Sequence, residues 1–267
     1  MSRYIPTTLL LIAISLSLFA SESKVSIAFW DVESLYDTIP SPNYYDDDFT
    51  PSGRGNWGKE RYEHKVENIA AVIDSMRLPI IILYGVESRG VSGDIVMASQ
   101  EDYSFIHKKG NSLNGLGFTL LYFGDILFID RVTLRGDMLI VEGEVYGEEL
   151  TIVATTSGRY LDEVESINPN SKAVLMGRYT QEQIEHLPLS DLLVEHEKRG
   201  YGNISTSKGW RVEDRVAVTP SLSGAVGGIY IKEWLLTRDR VAPLATFDGR
   251  RYLGGYSSHL PIFIFFE

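Results

Sequence analysis

The sequence predicts one α/β domain, and three observations carry that expectation. The chain has 267 residues of which 44% are apolar, enough to bury a large core. Short apolar runs of strand length, such as Ile80 to Tyr84, Ala173 to Met176 and Ile262 to Phe266, read as buried strands. A separate stretch from Gly58 to about Met76 carries Tyr62, Val66, Ile69, Ala70 and Ile73 at three- and four-residue spacing, which is the period of a helix with one apolar face.

From the N-terminus, Arg3 precedes the uncharged run Leu9 to Phe19, and small residues follow at Ala20 and Ser21. This is the layout of a secretory signal peptide over residues 1–20, with the domain occupying 21–267 and no transmembrane span in the mature chain. The compartment expected is periplasmic or extracellular. Cysteine is absent throughout, so neither a disulfide framework nor a lipid-bearing thiol is available.

Lys24 to Trp30 alternates into a strand that ends in WDVESLYD. The loop Pro40 to Trp57 carries Asp46, Asp47 and Asp48, whose spacing is not that of a calcium loop, so a solvated loop is the expectation. Gly58 opens the helix and Pro79 closes the segment behind it. Ile80 to Tyr84 leads into YGVES, and strand period puts Glu87 on the same face as Gly85, one repeat of about 6–7 Å farther out. Gly115 to Tyr122 reads GLGFTLLY. Ile126 to Leu134, Met138 to Tyr146 and Leu150 to Thr156 are joined by short turns, which predicts antiparallel pairing. Ala173 to Met176 precedes GRYTQ, a helix is expected from about Leu189 to Lys198, and Trp210 to Val218 reads WRVEDRVAV. Gly224 to Thr246 has no clean period beyond one short strand near Ile229 to Ile231. The chain closes on GGYSSHLPIFIFF, in which a double glycine and a polar turn deliver His259 just ahead of the last strand. Taken alone, such a histidine is better explained by capping the turn than by chemistry.

These strings together resemble the motifs of the endonuclease/exonuclease/phosphatase family, the metal-dependent phosphodiesterase group that includes DNase I. GGYSSHLP is similar to GGYSDHLP, WDVESLYD to WNVENLFD, YGVES to QEVEN, VATTSGR to VNHWPSR, GRYTQ to GDFND and WRVEDRVAV to WNMLDQIIV, and the likeness runs from about Ile27 to Phe266. It implies a four-layer α/β sandwich of the DNase I-like type, two packed, mostly antiparallel sheets flanked by helices.

The same resemblance assigns the catalytic positions, and most have changed. The motif's metal-binding glutamate is Gly85, its histidine Thr155, its aspartate and asparagine Arg178 and Thr180, and the aspartate before the last histidine Ser258; Gly117 also replaces an aspartate. Asp214 and His259 match, and Asp31 stands for an asparagine. A divalent ion wants oxygen donors. Here carboxylates are lost and a guanidinium is gained. A like charge at about 4 Å costs on the order of 4 kcal/mol at an effective dielectric of about 20, roughly a thousandfold in cation affinity. Without an acidic neighbour at Ser258, His259 is expected to lack an orienting carboxylate.

The expectation is therefore an exported, catalytically inactive or strongly impaired member of the fold that acts by binding. Arg178, Arg159 and His259 are candidates for a metal-free anion site, because guanidinium matches phosphate and carboxylate geometry. The alternative is a residual Mg- or Ca-dependent phosphoesterase, with His259 and Asp214 catalytic and Asp31 and Glu87 on the metal. No cofactor is expected under the first reading. Partners would be a small anion or an envelope or extracellular protein, the latter met by the aromatic-rich loop Tyr44 to Trp57. A net charge of −11 disfavours nucleic acid, whose affinity comes largely from Lys and Arg on phosphates.

Overall fold

The computed structural model describes residues 24–110, 113–161, 164 and 167–267. The expected signal peptide lies outside them. Among the described residues, no helix is long and apolar enough to cross a membrane.

The first half contains β1 (Val25–Leu35), α1 (Lys59–Met76), β2 (Ile80–Val86), α2 (Arg89–Ala98), β3 (Ser104–Lys108) and β4 (Gly117–Tyr122). Next come β5 (Leu127–Arg135), β6 (Met138–Val145), β7 (Glu148–Thr155) and β8 (Lys172–Arg178), then α3 (Gln181–Ile184), β9 (Ser190–Asp191) and α4 (Val194–Lys198). The rest of the chain adds β10 (Ile204–Thr206), β11 (Gly209–Arg211), β12 (Asp214–Val218), β13 (Val226–Ile229), β14 (Phe247–Asp248), β15 (Arg251–Tyr252) and β16 (Ile262–Phe266).

Two six-stranded sheets result, in the orders β13-β16-β1-β2-β4-β3 and β5-β6-β7-β8-β12-β9. Each has a single parallel pair, β1 with β2 and β7 with β8, and the remaining neighbours are antiparallel. This is the DNase I-like α/β sandwich that the motifs imply. Ile80, Ile81, Ile82 and Leu83 are all buried, so β2 is covered on both faces, as its unbroken apolar run requires. In the second sheet alternate residues serve two cores. Ile152, Ala154, Val174, Met176, Val216 and Val218 face the central core, while Val153, Leu175 and Ala217 join a separate cluster with Leu161, Ile184 and Leu187. On the other side α1 buries Val66, Ile69, Val72 and Ile73.

Several local expectations are corrected. The segment expected as one helix from Leu189 to Lys198 begins as the edge strand β9, paired with β12, and becomes helical only at Val194. Asp191 explains the break, since its carboxylate accepts the Leu193 amide at 2.8 Å and Arg215 at 2.7 Å. Asp46 is not a solvated loop residue: it is buried, and both its oxygens accept the Ser41 N–H, at 3.1 and 2.9 Å. The short strand near Ile229 lies earlier, at Val226–Ile229. Helix α2, whose Ser88 N-cap accepts from Val91 N, was not expected in a stretch with two glycines.

The registers decide where chemistry can occur. Asp31 pairs with Tyr84 across β1 and β2, Thr155 with Gly177 across β7 and β8, and Arg178 with Asp214 across β8 and β12. These strand ends from the two sheets meet at one rim, where the turn before β16 brings His259.

Candidate functional site

Asp31 ends the regular part of β1 and is buried. One oxygen, Oδ1, accepts the Glu33 N–H at 2.8 Å, and the other, Oδ2, accepts Arg178 Nη2 at 2.9 Å, which ties one sheet to the other. The turn carrying His259 is stitched to the same strand end. Ser257 Oγ donates to the Asp31 carbonyl at 2.7 Å and accepts the His259 N–H at 3.0 Å, while Trp30 Nε1 donates to the His259 carbonyl at 2.8 Å.

His259 does have an orienting carboxylate, contrary to expectation. Its Nδ1 lies 2.6 Å from Asp214 Oδ2, which also accepts Asn203 Nδ2 at 2.7 Å. Asn203 Oδ1 in turn accepts the backbone N–H groups of Glu213 at 2.8 Å and Asp214 at 3.2 Å. Burial opposes the imidazolium, but Asp214 in contact and Asp31 beyond it outweigh burial and raise the His259 pKa to about 9. Burial likewise works against the Asp214 carboxylate, yet His259, Arg178 and Asn203 hold its pKa below the ordinary value. Asp31 goes the other way: burial dominates, Asp214 adds to it, and the pKa is raised.

Arg178 sits among these groups. Besides Asp31, its Nε lies 3.4 Å from Glu213 Oε1 and 3.9 Å from Asp214 Oδ1, and its Nη2 lies 3.4 Å from His259 Nε2. Two cations therefore face the three carboxylates of Asp31, Glu213 and Asp214. With more carboxylates than cations, the cluster carries no net positive charge and offers an incoming anion little attraction. Of the residues expected to form an anion site, the structure brings Arg178 and His259 together but not Arg159. That side chain is exposed and its charge acts on Asp137.

Glu87 is also elsewhere. Gly85 has φ +92°, with a register shift between Tyr84 and Val86, and this bulge breaks the alternation that would have kept Glu87 on the face of Gly85. The Glu87 carboxylate instead accepts the Asp37 N–H at 2.8 Å, and its charged neighbours are Asp37, Asp46 and Lys109. The other altered positions have taken structural work. Thr155 Oγ1 accepts Gly158 N at 3.1 Å, Thr180 caps α3 with a capping box completed by Gln183, and Ser258 donates to Glu33 Oε1. Asn203, which helps build the site, carries no sequence signal beyond membership of a polar loop, whereas Ser257 is the unchanged serine of GGYSSHLP.

A divalent ion does not fit this donor set. The Asp31 oxygen that would serve is taken by a guanidinium, Asp214 is engaged by His259 and Asn203, and a Cβ at Gly85 would meet the Glu33 carbonyl oxygen at 1.9 Å. Among the described residues, no group of three or more His, Asp or Glu side chains is placed to hold a metal ion.

The sequence profile of the Endonuclease/Exonuclease/phosphatase family matches residues 26–155, the segment that supplies Asp31, Gly85 and Thr155. Over that segment the chain is similar to the endonuclease/exonuclease/phosphatase family. Solved structures of similar fold extend the likeness across both sheets. TDP2 from Caenorhabditis elegans is 13% identical at a TM-score of 0.60, covering 92% of this chain and 74% of that one. D. rerio TDP2 complexed with a single-strand DNA product is 12% identical at 0.58, covering 92% and 99%. A mannosyl-6-phosphatase from Bacteroides thetaiotaomicron is 13% identical at 0.53, covering 90% and 98%. No curated protein matches in sequence. At such identities the structural likeness establishes the fold and leaves the chemistry to the chain's own residues.

Proposed function

We propose that this chain is an exported member of the endonuclease/exonuclease/phosphatase family that acts by binding, with ester hydrolysis lost or strongly impaired. The observation that carries the reading is the Arg178 guanidinium, 2.9 Å from Asp31 and within 4 Å of Asp214. Hydrolysis of a phosphoric ester asks a site to neutralise charge developing on phosphorus, to activate a water and to stabilise a leaving oxygen. Arg178 is already committed to carboxylates and His259 to Asp214, so the groups able to take up that charge are neutralised by the protein itself. The retained scaffold and the dismantled strand ends fit a chain whose fold is needed for recognition.

The retained Asp214–His259 pair, at 2.6 Å, favours a second reading, a residual Mg- or Ca-dependent phosphoesterase. One assay separates the two. Purified protein is incubated with p-nitrophenyl phosphate and bis-p-nitrophenyl phosphate, with magnesium, calcium or EDTA. The binding reading expects no hydrolysis that EDTA abolishes. EDTA-sensitive turnover that falls by orders of magnitude in His259→Ala would overturn it. Export is tested by fractionating the host and sequencing the mature N-terminus.

A further inference from the structure

Beside the Arg178 cluster, and touching it through Glu33, lies a cavity of about 230 Å³ between the end of β1, the loop before α1, α1 itself and the β14–β15 hairpin. Its polar lining is unusual for this acidic chain. Lys65, Arg54 and Arg250 supply three cations against the carboxylates of Glu33 and Asp48, in a protein of net charge −11. Arg54 is spent on Asp48 at 2.7 Å. Arg250, exposed on the hairpin turn, has no side-chain partner among the described residues.

Lys65 is the decisive group. It stands on the inward face of α1 with only 1% of its surface exposed, and its Nζ donates to Thr246 Oγ1, its one hydrogen-bond partner among the described residues. An ammonium has three N–H bonds, and leaving a buried one unspent is costly. Burial lowers its pKa to about 8 against the raising influence of Glu33 and Asp31, so it remains mostly charged at neutral pH. A buried cation with donors to spare, lining a cavity, is arranged for an acceptor that arrives from outside.

The opposite wall is aromatic and stiff. Phe49 and Phe247 meet edge to face at 6.2 Å, and Tyr36, Trp57 and Tyr252 pack behind them at 4.5 to 5.8 Å. Size limits the guest. A cavity of about 150 Å³ accommodates benzene, so this one has room to enclose a single six-membered ring with one charged substituent.

We infer that this cavity binds a small ring-bearing organic anion, its carboxylate or phosphate held by Lys65 and Arg250 and its ring laid against Phe49 and Phe247. The inference rests on the binding reading above and gives it a ligand class, at a place distinct from Arg178.

Calorimetric titration of the purified protein with benzoate, phenyl phosphate, inorganic phosphate and benzyl alcohol tests it. Benzoate or phenyl phosphate should saturate below about 10 mM and bind at least about tenfold more tightly than inorganic phosphate or benzyl alcohol. Arg250→Ala, a change on an exposed turn that leaves the fold intact, should weaken the bound anion by about tenfold, and Lys65→Met by more. Arg178→Ala should leave the affinity unchanged. Failure of both ring anions to saturate, equal binding of the uncharged alcohol, or an undiminished affinity in Arg250→Ala would overturn the site. Release of phenol from phenyl phosphate would instead sink the binding-only function, while saturable benzoate binding would still uphold the cavity.

Discussion

Replacing Asp214 by asparagine isolates the His259 pair. In the native protein the imidazole is only 12% exposed and faces Asp214, Asp31 and Arg178, with a pKa raised to about 9 from an ordinary value of 6.5. Because the folded pKa lies above the unfolded one, the pair contributes fully below about pH 6.5 and its contribution is lost as pH rises through about 9. At about 1.4 kcal/mol per pH unit, the contribution at pH 6 is on the order of 3 kcal/mol, an upper figure since Asp214 shares the same interaction. Asp214→Asn removes the carboxylate and leaves the burial, so His259 should titrate below its ordinary value in the variant. Two measurements read this: the His259 ring protons followed by NMR across pH, with His259→Gln to assign them, and urea unfolding of both proteins at pH 6 and pH 9.5. The stability gap should be about 3 kcal/mol at the lower pH and shrink towards the upper one. Lys65, with a pKa near 8, shifts both proteins equally and cancels from the difference. A wild-type His259 that titrates at or below 6.5, or a gap that does not change with pH, would refute the reasoning.

Two further outcomes follow from the same geometry. Arg178→Met takes the guanidinium from the buried carboxylates of Asp31 and Asp214, and should cost about 2–3 kcal/mol by urea unfolding, at the low end of the range for breaking a buried pair because the arginine is 36% exposed. An unchanged midpoint would mean that the guanidinium is held by solvent and not by the cluster. Gly85→Glu, which restores the motif's metal-ligand letter, should not create magnesium binding and should destabilise by about 2–4 kcal/mol, because the site has φ +92° and the new Cβ would lie 1.9 Å from the Glu33 carbonyl oxygen. Metal-dependent thermal stabilisation of that variant would contradict the account.

The strands were legible where burial writes itself into the sequence as uninterrupted or alternating apolar residues, as at Ile80 to Leu83 and along β6 to β8. The bulge at Gly85 was not, because positive φ at a glycine leaves no mark on hydrophobic period, and the placement of Glu87 failed with it. His259 and Asp214 were both legible as site residues through their motifs, but their contact was not: Asp214 is 45 residues away in the chain, and only the pairing of β12 with β8 brings it to the rim. Lys65 left a readable sign that composition hides. It stands four residues before Ile69 and seven before Val72, on the apolar stripe of α1, and a charge at that phase of a buried face asks for a partner.

The departures from the family motifs meet one another in space. Asparagine to aspartate at Asp31 adds a buried negative charge, and aspartate to arginine at Arg178 supplies the cation that lies 2.9 Å from it. Without Arg178 the Asp31 carboxylate would lose the guanidinium that offsets its burial, at a cost of about 2–3 kcal/mol, whereas Arg178 keeps Glu213 and Asp214 as further partners. Loss of the side chain at Gly85 opens the space into which the Glu33 carbonyl presses, and Glu33, held at φ 61°, turns its carboxylate to the Ser258 hydroxyl. The motif's aspartate at that position would set two carboxylates against each other, whereas serine donates a hydrogen bond. Glu33 also lines the cavity that contains Lys65, so the altered motif positions are physically continuous with the proposed neighbouring site.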